Sequence, residues 1–498
     1  MLVSWNATNA CNLKCGHCYR DAGREMPQEL STAEGYGLLE EVKKSGFKII
    51  VFSGGEPLLR PDLCALISRA KSLGLRPVLG TNGTLLTRDK VEQLKEAGTA
   101  AVGISVDSID SEKHDHFRGI KGAWELTEQG ISNCREGGLP FQIHTTVFPW
   151  NYADIEKITD FAARSGARGH HVFFFVPTGR GKKNMAATIT PQQMESLLER
   201  LLSLQERLPL EIKPTCAPQF MRIARQLKVA TRFRRGCLAG ISYCIIGPQG
   251  EVYPCSYMDL KIGSVRDDPF SEIWSKHPVL LKLRAQKYEG YCAVCSYRGV
   301  CGGCRARAFA GSEGNFMAGD PSCLYGYQEE KKMYPLAIEL LVRLQDGLPV
   351  VSRPYAVMAE ELGVSEDDVL KTLRWLKTSG FVRRLGGIID SRRLGYAGTL
   401  CAARISPEKL QQAVGIINSY KGVTHNYLRE HHYNLWFTVT ASSAQELQQV
   451  VTEIRERIAV TEFYSFPCRD LFKIAVKFSK EELTDVFNRR CRTENPTG

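Results

Sequence analysis

At 498 residues the chain exceeds what one hydrophobic core organises, so two or three domains are expected. Hydrophobic residues at 43% and charged residues at 24% suit a globular chain, and no apolar run reaches membrane-spanning length, which excludes a helical membrane protein. A net charge of +11 suits an anionic partner, nucleic acid or a polycarboxylate small molecule, and does not choose between them.

The N-terminus, Met1-Leu2-Val3-Ser4-Trp5, lacks the basic start and apolar stretch of a signal peptide, so a cytoplasmic setting is expected, with no membrane partner. In that reducing compartment 17 cysteines read as metal ligands rather than disulfides. From Met1 to about residue 230, apolar runs at Phe47 to Phe52, Arg76 to Gly80, Ala101 to Val106, Phe141 to Val147 and His170 to Val176 predict buried strands. Ser31 to Ser45, Asp89 to Ala97 and Tyr152 to Ser165 predict the helices between them. Repeated βα units imply a parallel sheet in a partial (β/α) barrel, an α/β fold with its chemistry at the C-terminal strand ends.

From Cys237 to Cys323 periodicity fades and Cys, Gly and Tyr take over, so residues 231–328 read as a separate domain with bound metal as its expected source of stability. A third region changes character again. Leu336 to Leu344, Tyr355 to Leu362 and Glu366 to Ser379 predict three helices, with Ser365 as an N-cap, and Phe381 to Arg384 begins a wing. Residues 331–392 therefore read as a winged helix-turn-helix, and 395–480 as a ferredoxin-like α+β domain with one extra strand. Residues 481–498 read as a frayed polar tail.

Cys11, Cys15 and Cys18 lie just after the first strand. Three thiolates on a short loop hold three irons of a [4Fe-4S] cube and leave the fourth open. A structural zinc site is the rival, although it wants four ligands. This C-x3-C-x2-C spacing resembles that of radical S-adenosylmethionine enzymes, and later strand ends carry motifs similar to the family's. Ser53-Gly54-Gly55-Glu56-Pro57 looks like their GGEP motif. The resemblance implies that Gly54 and Gly55 let backbone approach the cofactor and that Glu56 binds its ammonium group. It places His17 near adenine, and Asn82, Ser105 and Asp107 near the ribose and the methionine carboxylate.

Cys237, Cys255, Cys292, Cys295, Cys301, Cys304 and Cys323 resemble the SPASM extension of that superfamily, which implies one or two auxiliary [4Fe-4S] clusters. Zinc remains a rival, because paired C-x-x-C units also build four-thiolate sites. Cys244 is an additional candidate ligand, and Cys216 reads equally as a ligand or as a small buried residue.

A winged helix followed by a ferredoxin-like domain is also the layout of Lrp/AsnC-type regulators. Arg374, Lys377, Arg383 and Arg384 suit phosphates, whereas Glu366, Asp367 and Asp368 lead the recognition helix with charge that repels DNA, so nucleic acid is not the expected partner. The stretch from His425 to Phe437 resembles instead the hairpin of siroheme decarboxylases, and Arg384 to Leu394, with Gly387-Ile388-Ile389-Asp390, matches their connecting segment. His425, His431, His432, Arg429 and Tyr433 are the candidate catalytic residues there. Histidine donates protons or ligates haem iron, and Arg pairs with carboxylates.

Residues 1–328 look most like the radical enzymes of heme d1 synthesis and of the siroheme-dependent heme pathway. The joint resemblance implies a siroheme-derived iron tetrapyrrole as substrate, altered at acetate or propionate side chains. Arg180, Lys182 and Lys183 are candidate carboxylate partners. It also implies an electron donor such as ferredoxin or flavodoxin, and a homodimer or second decarboxylase subunit for the C-terminal part. The alternative is a peptide-modifying SPASM enzyme carrying a DNA-binding or haem-sensing module.

Overall fold

The computed structural model describes residues 1–182, 188–386, 391–467 and 477–493. Seven parallel strands build the first half in chain order: β1 (Leu2–Thr8), β2 (Ile49–Gly54), β3 (Arg76–Thr81), β4 (Ala101–Ser105), β5 (Phe141–Val147), β6 (Gly169–Phe174) and β7 (Glu211–Thr215). Each crossover is helical, and local chemistry fixes the helix ends. Ser31 and Glu34 close a capping box on helix Thr32–Lys44, and Thr87 caps Arg88–Ala97, which stops at Gly98 in the left-handed region.

Ile50, Leu79, Val102, Ile104, Ile143, Val172 and Ile212 join the helices in one apolar core. Strand period two turns their neighbours to the opposite, interior face. Strand β7 was not among the expected elements, because Glu211-Ile212-Lys213-Pro214-Thr215 is half polar and contains proline. It sits at the end of the sheet order, where a missing N–H costs no ladder bond.

The cysteine-rich region is more regular than expected. Tyr243–Ile246 forms β8 and pairs parallel with β1, and the antiparallel β9 (Glu251–Tyr253) and β10 (Gly263–Ser264) bring the mixed sheet to ten strands. Met1–Leu340, Pro349–Arg383 and the described residues from Phe487 form one compact unit, and Leu341–Leu348 with Arg384–Val486 forms another.

Within the first unit, Pro354–Leu362 and Glu366–Thr378 are helices, with Ser365 Oγ accepting the Asp368 N–H at 3.1 Å. The segment Phe381–Arg384 forms no strand. Phe381 packs instead on Trp375 and on Phe487, at 5.6 and 4.8 Å between ring centroids. Lys480–Thr493 is helical rather than frayed, because the buried Phe487 anchors it. The expected Gly387–Asp390 segment and the extra strand after residue 467 lie outside the described residues.

The second unit is a four-stranded antiparallel sheet of β11 (Ala397–Ala403), β12 (Val423–Leu428), β13 (Leu435–Ala441) and β14 (Phe463–Pro467), in the order β12-β13-β11-β14. Helices Leu410–Asn418 and Ala444–Ile458 bury Cys401, Phe437 and Val439 on one face. No described helix is long and apolar enough to cross a membrane.

Candidate active site

The loop carrying Cys11, Cys15 and Cys18 is fastened by backbone. The Cys11 N–H donates to Gly23 O at 2.9 Å and the Lys14 N–H to Arg118 O at 3.1 Å. Arg180 holds the other side, with Nε donating to Cys15 O and its own N–H to Cys18 O, both at 3.0 Å. Arg180 is therefore committed to this loop and to Asp21 at 3.0 Å, rather than free for a substrate carboxylate. Lys182 reaches Asp259 at 3.0 Å, and Lys183 lies outside the described residues.

Burial pushes the Cys11 thiol up to about 11; the Leu13 N–H opposes the shift, and Glu56, Cys15 and Cys18 add to it. The two glycines of the second-strand motif have a specific steric role. Gly54 holds φ +142°, and a Cβ there would meet Thr8 O at 2.2 Å; a Cβ on Gly55 would meet Ala10 O at 2.1 Å. Their contact is thus with the cysteine loop itself, sealed by Gly55 N–H to Thr8 O at 2.8 Å and Glu56 N–H to Ala10 O at 2.7 Å.

Glu56 is fully buried. It accepts from Asn82 N–H at 2.9 Å and Thr81 Oγ1 at 2.8 Å, and burial raises its carboxyl to about 7 against those bonds. Asn82 Nδ2 donates to Asn12 Oδ1 at 2.8 Å, which ties β3 to the same loop. His17 stacks on Phe117 at 4.4 Å between ring centroids, and burial holds its pKa well below the usual value.

Asp107 accepts from Arg118 Nη2 at 2.5 Å and from the Thr146 N–H at 2.8 Å. Arg118 Nη1 lies 3.8 Å from Cys15 Sγ. Sequence reasoning missed Arg118; Asp110 capping the helix Ser111–Arg118 was the available signal that this arginine ends a helix near the strand ends.

These residues fit an iron-sulfur cluster with S-adenosylmethionine. Thiols are the donors such a cluster needs, a guanidinium lies beside them, and the buried His17 Nδ1 and Asn6 Nδ2 lack partners that a ligand would supply.

Eight of the remaining thiols sort into two sets of four. Cys216, Cys237, Cys255 and Cys304 are mutual electrostatic neighbours in every pairing. Backbone contacts agree: Arg307 Nη1 donates to Cys216 O at 2.5 Å, and Gly236, beside Cys237, packs so closely on Pro218 that a Cβ would sit 2.6 Å from it. Cys292, Cys295, Cys301 and Cys323 form the other set. Between the sets runs a buried network in which Asp320 accepts from Arg307 Nη2 at 2.9 Å, the Cys304 N–H at 2.7 Å and Gln219 Nε2 at 2.8 Å.

Cys244 belongs to neither set: it lies in β8, fully buried in the apolar core opposite Val3. Among the described residues no three His, Cys, Asp or Glu side chains converge on a single-ion position.

In the second unit the hairpin of β12 and β13 carries His425, Arg429, His431, His432 and Tyr433, all but Tyr433 exposed. His432 Nε2 meets Glu462 Oε2 at 2.6 Å, and Tyr433 packs edge-on against Tyr464 at 5.2 Å. His425 stands apart from these, opposite Thr438 and 5.9 Å from the Tyr427 ring. Tyr427, Tyr464 and Phe466 are each close to half exposed.

Parallel strands, a three-thiol loop and a cysteine-rich extension together define a radical S-adenosylmethionine enzyme. Four family models match: the radical SAM superfamily over residues 5–162, an iron-sulfur cluster-binding domain over 237–297, a siroheme decarboxylase NirDL-like HTH domain over 338–383 and an AsnC-like ligand binding domain over 393–473. An AdoMet-dependent heme synthase of Methanosarcina barkeri is 40% identical over 338 residues, 65% of this chain and 96% of that protein. A siroheme decarboxylase alpha subunit of Desulfovibrio desulfuricans is 42% identical over 140 residues, 28% of this chain and 80% of that protein. SuiB of Streptococcus suis bound to its precursor peptide SuiA shares the fold alone, with 17% identity and a TM-score of 0.54 over 65% of this chain and 75% of that one. The chain belongs to the radical SAM enzymes homologous to AdoMet-dependent heme synthase, and carries a siroheme decarboxylase-like C-terminal region.

Proposed function

We propose that the chain trims acidic side chains of a siroheme-derived iron tetrapyrrole at two places. The barrel performs radical removal or oxidative decarboxylation of one side chain, and the second unit removes acetate carboxyls by acid–base chemistry. One observation carries this reading: two regions that resemble different tetrapyrrole enzymes, each matched over most of its relative's length, are joined in one chain.

Cys11, Cys15 and Cys18 would hold the cluster, which together with S-adenosylmethionine would supply the radical chemistry for hydrogen-atom abstraction from substrate carbon. The protein's residues do the positioning. Gly54 and Gly55 fix the loop, Glu56 and Asn82 brace it, and Arg118 balances thiolate charge. The two four-thiol sets favour two auxiliary [4Fe-4S] clusters, fed by a small reductant such as ferredoxin or flavodoxin. In the second unit His425 and His431 are the proton donors and Arg429 the carboxylate partner, beside an aromatic face suited to a macrocycle. A second copy or a distinct subunit would complete that site.

A DNA-reading role for helix Glu366–Thr378 is disfavoured, since that helix packs on Gly290–Val294 and its Lys371 lies near Cys295. The test is anaerobic incubation with siroheme, with and without S-adenosylmethionine and a reductant, read by mass spectrometry. Loss of CO2 units without S-adenosylmethionine belongs to the hairpin and should vanish in H425A/H431A; a change that needs it should vanish in C15A. No mass change under either condition overturns the proposal.

A further inference from the structure

One polar row inside the sheet starts at Ser105 of the cofactor set and continues through residues used by none of the groups above. Ser105, His144, His171 and Lys213 are successive register partners across β4, β5, β6 and β7. Their strand neighbours Ile104, Ile143, Val172 and Ile212 point into the helix-packed core, so the row occupies the interior face. With parallel strands about 4.8 Å apart, it spans about 14 Å.

The row is built rather than incidental. The His144 and His171 rings stack at 5.0 Å with 6° between planes. The His144 ring lies so flat against β4 that a Cβ on Gly103 would be 2.3 Å from it. Both Nε2 atoms are closed to solvent and make no hydrogen bond, which leaves polar capacity that a ligand would satisfy. Glu211 Oε1 lies 3.9 Å from His171 Nε2, within ion-pair reach but too far for a hydrogen bond. The Lys213 ammonium has no carboxylate partner within ion-pair distance among the described residues and rests over the Phe233 ring at 5.1 Å. Two unpartnered imidazole nitrogens, each able to carry its ring's N–H, and one ammonium without an ion pair, with a single acid beside them, suit an anion. The length of the run suits a molecule with several carboxylates.

Resting on the tetrapyrrole reading above, we infer that His144, His171 and Lys213 are a carboxylate-binding row that holds the acidic side chains of the barrel's substrate, beginning beside Ser105 of the cofactor set. Iron coproporphyrin III, with four propionates, and its tetramethyl ester test this on the cluster-loaded enzyme by absorbance titration. K213M and H171N should weaken the acid roughly tenfold, leaving the ester unchanged, and K213R should stay near wild type. Iron content and melting temperature confirm that each variant is loaded and folded. Acid binding indifferent to both substitutions, or equal loss for acid and ester, overturns the row alone. If the wild-type enzyme binds neither compound, the tetrapyrrole reading falls and the row falls with it.

Discussion

Replacing Gly55 by Ala isolates the contact that seats the cysteine loop. Its φ lies outside the left-handed region, so alanine meets no backbone strain and the effect is purely one of contact. The new methyl would lie 2.1 Å from Ala10 O, whereas real Cβ atoms essentially never approach within 3.0 Å, so the carbonyl next to Cys11 has to retreat by about 0.9 Å. That retreat breaks Gly55 N–H to Thr8 O and Glu56 N–H to Ala10 O, about 1 kcal/mol each or about 2 kcal/mol together. A displacement of that size at a reacting centre costs on the order of 100-fold in rate. G55A should therefore lose about two orders of magnitude in 5′-deoxyadenosine formation, measured by chromatography after anaerobic reduction, while iron in the two four-thiol sets persists. G37A is the control, since nothing lies within 4 Å of that Cβ and alanine favours the helix by about 1 kcal/mol. Wild-type deoxyadenosine yield from G55A would refute the reasoning.

Two further outcomes follow from buried charge. R118L strands Asp107 without its guanidinium, so it should cost about 3–5 kcal/mol in stability by thermal melting, and R118L/D107L should recover part of that loss. His170 bridges Thr159 Oγ1 at 2.9 Å and Thr145 Oγ1 at 2.8 Å, and burial lowers its pKa to about 3. The unfolded chain therefore takes up that proton first, and the stability His170 contributes is complete above its unfolded pKa of about 6.5 and declines as pH falls toward 3. About 2 kcal/mol should go by about pH 5, and H170Q should show a smaller difference between melts at about pH 7.5 and about pH 5.

The parallel strands and their helices were legible because Phe141 to Val147 and Thr32 to Lys44 state their periods openly, and because Ser31 and Ser365 announce helix starts. Strand β7 was not legible: Lys213 and Glu211 look like loop residues until the neighbouring His171 shows that one strand face is interior. The thiol partition was hidden for a related reason. Cys216 has no cysteine at motif spacing, and only the fold brings it to Cys237, Cys255 and Cys304, while Cys244, closer in sequence, serves the core. Phe487, 106 residues after Phe381, takes the place beside it that the expected wing would occupy, a long-range contact with no local signature.

The docking of helix Glu366–Thr378 on Gly290–Val294, the short helix that contains Cys292, carries a consequence for assembly. If Cys292 and its companions capture iron as proposed, the platform on which the helix-turn-helix settles takes shape with the metal, and iron supply would set when that module matures. Chains made during iron scarcity should be nicked by trypsin within residues 341–383, and replenishment should restore their resistance. Protease sensitivity would then report on nutrient status.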